Sequence, residues 1–172
     1  MVTTIYKLIS LLMIISIITA CSTPASRDPS SQYFDIPITT QISLLKKVTI
    51  PANTAHIYFQ GGVVSSPKAT NQYHPFCRFE VNQLSEAAQI IMPNLYTLKR
   101  IRSDYEVVSM PDTRLYYTEF RLSSDKDKNV RSLKCGQWAR PDDSITYLTI
   151  KQMQDSLGSY MTIKLPESVK TK

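Results

Sequence analysis

The chain is predicted to be mainly β, a compact antiparallel sandwich or a partly closed barrel with one or two short helices. Three observations predict it. Apolar and polar residues alternate with a period of two along most of the body, which places one side-chain set on a buried face of a strand. Segments of that kind outnumber segments with helical spacing. Cys77 and Cys135, far apart in sequence, both fall on the apolar side of their alternating segments.

Taken in order, Ala55, Ile57 and Phe59 share a face, with His56, Tyr58 and Gln60 on the outward, solvated side; Gly61-Gly62 then supplies a turn. From Phe76 to Asn82, Cys77, Phe79 and Val81 point one way and Arg78, Glu80 and Asn82 the other. Residues 84–92 are read as a second short helix ended by Pro93. Leu95 to Val108 is extended, but its phase shifts between Leu98 and Ile101, which predicts a bulge. Tyr116, Thr118, Phe120 and Leu122 line one face of the next strand, and the polar run Ser123–Asn129 turns it back onto a strand with Leu133 and Cys135 inward and Lys134 outward. Those two strands form a hairpin. Thr149 is a fitting N-cap with Gln152 at capping-box spacing; Ile150, Met153 and Leu157 then form a stripe closed by Gly158. Met161, Ile163 and Leu165 line the inner face of a last strand.

The N-terminus has a different character. Lys7 precedes an apolar run over 8–18, and Ile18-Thr19-Ala20-Cys21 follows. The run has the length of a signal-peptide core and is short for a membrane span of about 20 residues. The four-residue motif resembles the lipobox of bacterial lipoproteins. That resemblance implies cleavage before Cys21 and a covalent diacylglycerol and acyl lipid on its sulfur, palmitate-like chains whose burial contributes about 0.8 kcal/mol per methylene. Ser22, where an inner-membrane lipoprotein usually has Asp, resembles the outer-membrane case. The chain then divides into a signal peptide (1–20), a lipidated flexible tether rich in Ser and Pro (21–32), one β-rich domain (33–166) and a frayed tail (167–172).

Losing Lys7 with the signal leaves 19 of the 20 Lys and Arg against 14 Asp and Glu, a net +5. The cations are interspersed with acids, as in Asp125-Lys126-Asp127-Lys128, so they read as solvated loop charge, and an exported chain does not meet nucleic acid. In an oxidising compartment Cys77 and Cys135, 58 positions apart, read as one disulfide, because no Cys-x-x-Cys spacing or partner base suggests redox or nucleophilic chemistry. Two distant histidines make a poor metal site. No Gly-x-Ser-x-Gly and no phosphate-cradling glycine loop occurs, so neither an enzyme nor a cofactor is expected. Nine tyrosines lie beyond Tyr6; most suit strands. Tyr73, with His74 and Lys68 in the long polar loop 65–75, is the candidate interface.

The residues Ile50-Pro51-Ala52, Ile57-Tyr58-Phe59-Gln60-Gly61, Tyr73-His74-Pro75-Phe76-Cys77-Arg78-Phe79-Glu80-Val81, and Lys134-Cys135-Gly136 with Trp138 resemble a group of small envelope lipoproteins of proteobacteria. The resemblance covers patches of residues 48–140 and implies a β-rich envelope lipoprotein, with no activity attached. The expectation is a lipid-anchored, periplasm-facing module at the outer membrane that docks onto an envelope protein complex or a wall component. The alternative is a carrier for a hydrophobic envelope ligand.

Overall fold

Period-two patterning over short segments demands a sheet, and the positions of the turns decide how it closes. The computed structural model describes residues 26–109, 112–143 and 147–169. Its strands are β1 (Gln41–Leu44), β2 (Val48–Ile50), β3 (His56–Gln60), β4 (Val63–Ser65), β5 (Phe76–Val81), β6 (Gln89–Ile91), β7 (Asn94–Ser109), β8 (Thr113–Ser123), β9 (Val130–Ala139) and β10 (Met161–Lys164). One helix, α1 (Ile150–Leu157), precedes β10, and a 3-10 turn spans Glu167–Val169. Eight strands form one antiparallel sheet in the order β10-β1-β7-β8-β9-β5-β3-β4, and β2 pairs with β6 separately. The large sheet curls into a half-barrel. Cys21 and the signal lie outside the described residues.

Most of the predicted elements form where the patterning put them. The β8–β9 hairpin is present, with Thr118 opposite Cys135 and Phe120 opposite Leu133. The phase shift in β7 is a register shift between Leu98 and Arg100. Thr149 caps α1 and Gln152 completes the capping box, while Gly158 at φ 55° ends the helix. The second helix expected over 84–92 does not form. Gln89–Ile91 instead pairs with Val48–Ile50, which buries Ile91 and leaves Ile90 exposed. A period of two fits that burial, and tertiary pairing outweighs the helix propensity of Ala87 and Ala88. Residues 26–35 make hydrogen-bonded turns in which the Asp28 carboxylate accepts from Ser30 N–H and Oγ–H; of these, 26–32 belong to the stretch read as tether.

The main core fills the concave side. Phe59, Phe79, Tyr96, Phe120 and Leu133 are fully buried there together with Met153 and Leu157 of α1. The disulfide joins Cys77 and Cys135, which stand directly opposite in the β5–β9 ladder with Cα atoms 4.0 Å apart, both fully buried. As predicted, both cysteines face the core.

Helix α1 also spans the opening of the half-barrel. The Gln154 side chain acts like a short strand beside β10: Nε2 donates to Met161 O at 2.8 Å and Oε1 accepts from Ile163 N at 2.9 Å. At the other end of the sheet, Gly62 N in the β3–β4 turn donates to Ser156 O at 3.1 Å. One helix therefore satisfies backbone groups of the edge strand β10, which would otherwise be a template for unwanted pairing, and reaches the β3–β4 turn at the other end of the sheet.

The convex face departs from the simple outward-polar expectation. Tyr58, Phe76, Leu115 and Tyr117 are buried there, with Trp138 packed against them. Loop 66–75 folds back over this second cluster, held by Trp138 N donating to Gln72 O and by Gln60, whose amide donates to Asn71 O and accepts from Asn71 N. His56 is correspondingly not simply solvated. It stands edge-on to Tyr58 at 5.2 Å, and burial, then the Arg78 charge, lower its pKa. Gly136 makes the close packing of this face possible, because a Cβ there would lie 2.3 Å from Tyr116 O and 2.9 Å from Tyr117 Cβ. Gly136→Ala is expected to lower stability by about 2–3 kcal/mol, read as a shifted urea midpoint; an unchanged midpoint would mean that the β8–β9 ladder yields without cost.

Candidate functional site

The most unusual local feature is the length of β7. Its first residues, Asn94–Thr97, pair with β1 on one side, while the strand pairs with β8 on the other. Strand β1 begins at Gln41, because the chain before it turns at Pro37–Thr40. From Leu98 to Val108, then, no strand among the described residues pairs with the outer edge of β7. Helix α1 bonds to β10 and to the β3–β4 turn, but this edge lies in the middle of the sheet and no described strand covers it. Charges and two register shifts, at Leu98/Arg100 and Val107/Ser109, roughen it, as natural edges are roughened. Its far part is apolar, however: Tyr105, Val107 and Val108 are 47, 58 and 37 % exposed.

Around that part the structure assembles tyrosines that are remote in sequence. Tyr105 packs on Tyr116 at 5.8 Å, and Tyr116 meets Tyr147 edge-on at 5.8 Å. The Arg114 guanidinium lies 4.7 Å above the Tyr105 ring, a cation–π contact. Burial and then the neighbouring Tyr116, Tyr105 and Tyr33 raise the Tyr147 pKa. Beside the cluster, an open groove of about 440 Å³ runs between the 30–33 turn and Tyr147, Thr149 and Gln152 at the start of α1. On the convex side of the ribbon, Lys134 Nζ donates to Glu106 at 2.9 Å and lies 4.1 Å over the Tyr117 ring. Burial alone would raise the Glu106 pKa, but the hydrogen bond and charge of Lys134 outweigh it and hold the carboxyl below its usual range.

Tyr73, His74 and Lys68 are all exposed. Tyr73 stands edge-on to Trp138 at 5.6 Å, and the His74 carbonyl accepts from Gln60. Lys68 forms no hydrogen bond or ion pair with either. Register places Trp138 opposite Leu115 and Leu115 opposite Glu106, so Tyr73 lies at the same end of the sheet as the exposed part of β7. The loop tyrosine and the free edge therefore belong to one end of the molecule. Sequence reasoning missed the edge, although the unusual length of the alternating stretch 95–108 was a signal for it.

The concave face, where a carrier would hold a hydrophobic ligand, is filled by α1 and the core side chains. Fold and surface together define a disulfide-stapled antiparallel β half-barrel with an open edge strand. No protein family matches the chain, and no curated protein or solved structure is detectably similar to it.

Proposed function

We propose that this chain is a lipid-anchored envelope lipoprotein of the outer membrane whose β domain is a non-catalytic docking module. The observation that carries the docking role is the open outer edge of β7 between Leu98 and Val108, with Tyr105, Val107 and Val108 exposed beside it. An extended segment of an envelope partner would add to this edge as a further strand, its backbone satisfying the open N–H and C=O groups and its apolar side chains meeting the tyrosine cluster. The lipobox-like run ending at Cys21 supports the anchor, which would hold the module at high local concentration beside membrane-bound partners.

The test is in-cell photocrosslinking with a photoreactive side chain at position 107, and at position 86 as a surface control. The expected result is one defined neighbour, captured at 107, absent at 86, and lost in a Cys21→Ser chain. Equal capture at both positions, or capture indifferent to Cys21, counts against the reading.

A further inference from the structure

At the opposite end of the sheet from the tyrosines, Lys99, Arg100 and Arg121 gather without an ion-pair partner among the described residues. The register shift in β7 places Arg100 directly opposite Arg121 of β8. Like charges facing each other across a ladder are destabilising. Lys99 sits at the shift itself, next to Arg100. Among the described residues, no carboxylate comes within ion-pair distance of Lys99, Arg100 or Arg121, whereas Arg78, Arg102, Lys134 and Lys128 all have acidic partners.

Lys99 and Arg121 also line a small cleft of about 120 Å³ where the β8–β9 turn folds over the end of the sheet. Lys128 and the polar residues Asn82, Ser123 and Ser124 complete its wall. Asp127 lines it too, and its carboxylate accepts a hydrogen bond from Asn129 N at 3.0 Å. Lys128 is paired with Asp125, so Lys99 and Arg121 against the Asp127 carboxylate leave the cleft net positive. The turn that shapes it is itself held: Asn94 Nδ2 donates to Ser124 Oγ at 2.8 Å, and Asn82 Nδ2 donates to Lys128 O at 3.0 Å.

We infer that this cleft binds a phosphate group, held by Lys99 and Arg121, the latter directly opposite Arg100 in the ladder. A phosphate oxygen set suits a guanidinium fork and an ammonium at once, and a bound dianion would offset the repulsion between Arg100 and Arg121. The same chemistry is carried by free inorganic phosphate and by an anionic phospholipid headgroup. The inference does not rest on the docking role proposed for β7.

The experiment uses the full chain in neutral detergent, titrated with inorganic phosphate and, separately, with short-chain phosphatidylglycerol, with short-chain phosphatidylcholine as the zwitterionic control. Both phosphate sources are expected to raise the thermal midpoint in a saturable way. The Lys99→Gln/Arg121→Gln double variant should weaken binding about a hundredfold, the equivalent of two lost charged contacts. Tighter binding of phosphatidylglycerol than of inorganic phosphate assigns the site to a lipid headgroup; equal binding assigns it to phosphate itself. A second readout separates binding from folding. Without phosphate, Arg121→Gln should raise the midpoint, because it removes a like-charge pair; with saturating phosphate it should lower it. No saturable response to either source, or an Arg121→Gln shift that is the same with and without phosphate, would overturn the inference.

Discussion

Reducing the Cys77–Cys135 disulfide is expected to lower the melting temperature of the domain by about 10–15 °C. The bond closes a loop of 58 positions, and restricting the unfolded chain to that extent stabilises the fold by about 4 kcal/mol in the chain-entropy account. For a domain of this size that free energy corresponds to roughly the stated shift. The bond is placed for full effect. Its two residues face each other in the β5–β9 ladder, and both are sealed beneath α1, where Cys77 Sγ approaches Met153 O at 3.8 Å. Calorimetry with and without reductant measures the shift, with a mass gain of two hydrogens confirming reduction. The Cys77→Ala/Cys135→Ala chain should melt near the reduced protein and be indifferent to reductant. A melting temperature that survives confirmed reduction would show that the sheet alone holds the fold.

Gly158→Ala is expected to cost about 3–5 kcal/mol, from backbone strain and overpacking together. Gly158 ends α1 at φ 55° and ψ −129°, a conformation that L side chains rarely adopt. A Cβ there would also stand 2.4 Å from Gly62 Cα and 2.7 Å from Gly62 O. That contact is where the helix meets the β3–β4 turn, so relieving the clash means moving α1 off the sheet. Gly61→Ala is the matched comparison. Gly61 has φ 59° but open space around its would-be Cβ, so it should lose only the left-handed penalty of about 1–2 kcal/mol. Chemical denaturation of the two variants separates strain from close approach. Equal losses would mean that the Gly62–Gly158 contact contributes little.

Much of the architecture was legible because the residues that carry it are local. Thr149, Gln152 and Gly158 specify the ends of α1 within a few residues of chain, and Cys77 with Phe79 and Val81 declares a buried strand face by its spacing alone. The bulge in β7 was legible for the same reason, since a phase shift is visible wherever a face changes sides. The stretch 84–92 was not. Ala87 and Ala88 favour a helix locally, but Ile91 is buried by pairing with Val48, a residue 43 positions earlier. The second aromatic cluster was likewise hidden, because Tyr58, Phe76 and Tyr117 look like outward residues until loop 66–75 covers them. Of the candidate interface, Tyr73 was visible as an exposed loop tyrosine, while the free edge was not, because an edge is a relation between strands of different length.

By itself, the sequence determined the inward faces of β3, β5, β8 and β9, where the helix begins and ends, and which cysteines can meet, since each follows from periodicity, capping or side-chain chemistry along a short run. Only the tertiary structure decided which strands become neighbours. That choice curls the sheet around α1, ties Gln154 to β10 and Ser156 to the β3–β4 turn, leaves the outer edge of β7 without a described strand beside it, and sets Arg100 against Arg121. Those outcomes depend on packing among residues far apart in the chain, where burial and backbone hydrogen bonding across the whole sheet outweigh any local preference.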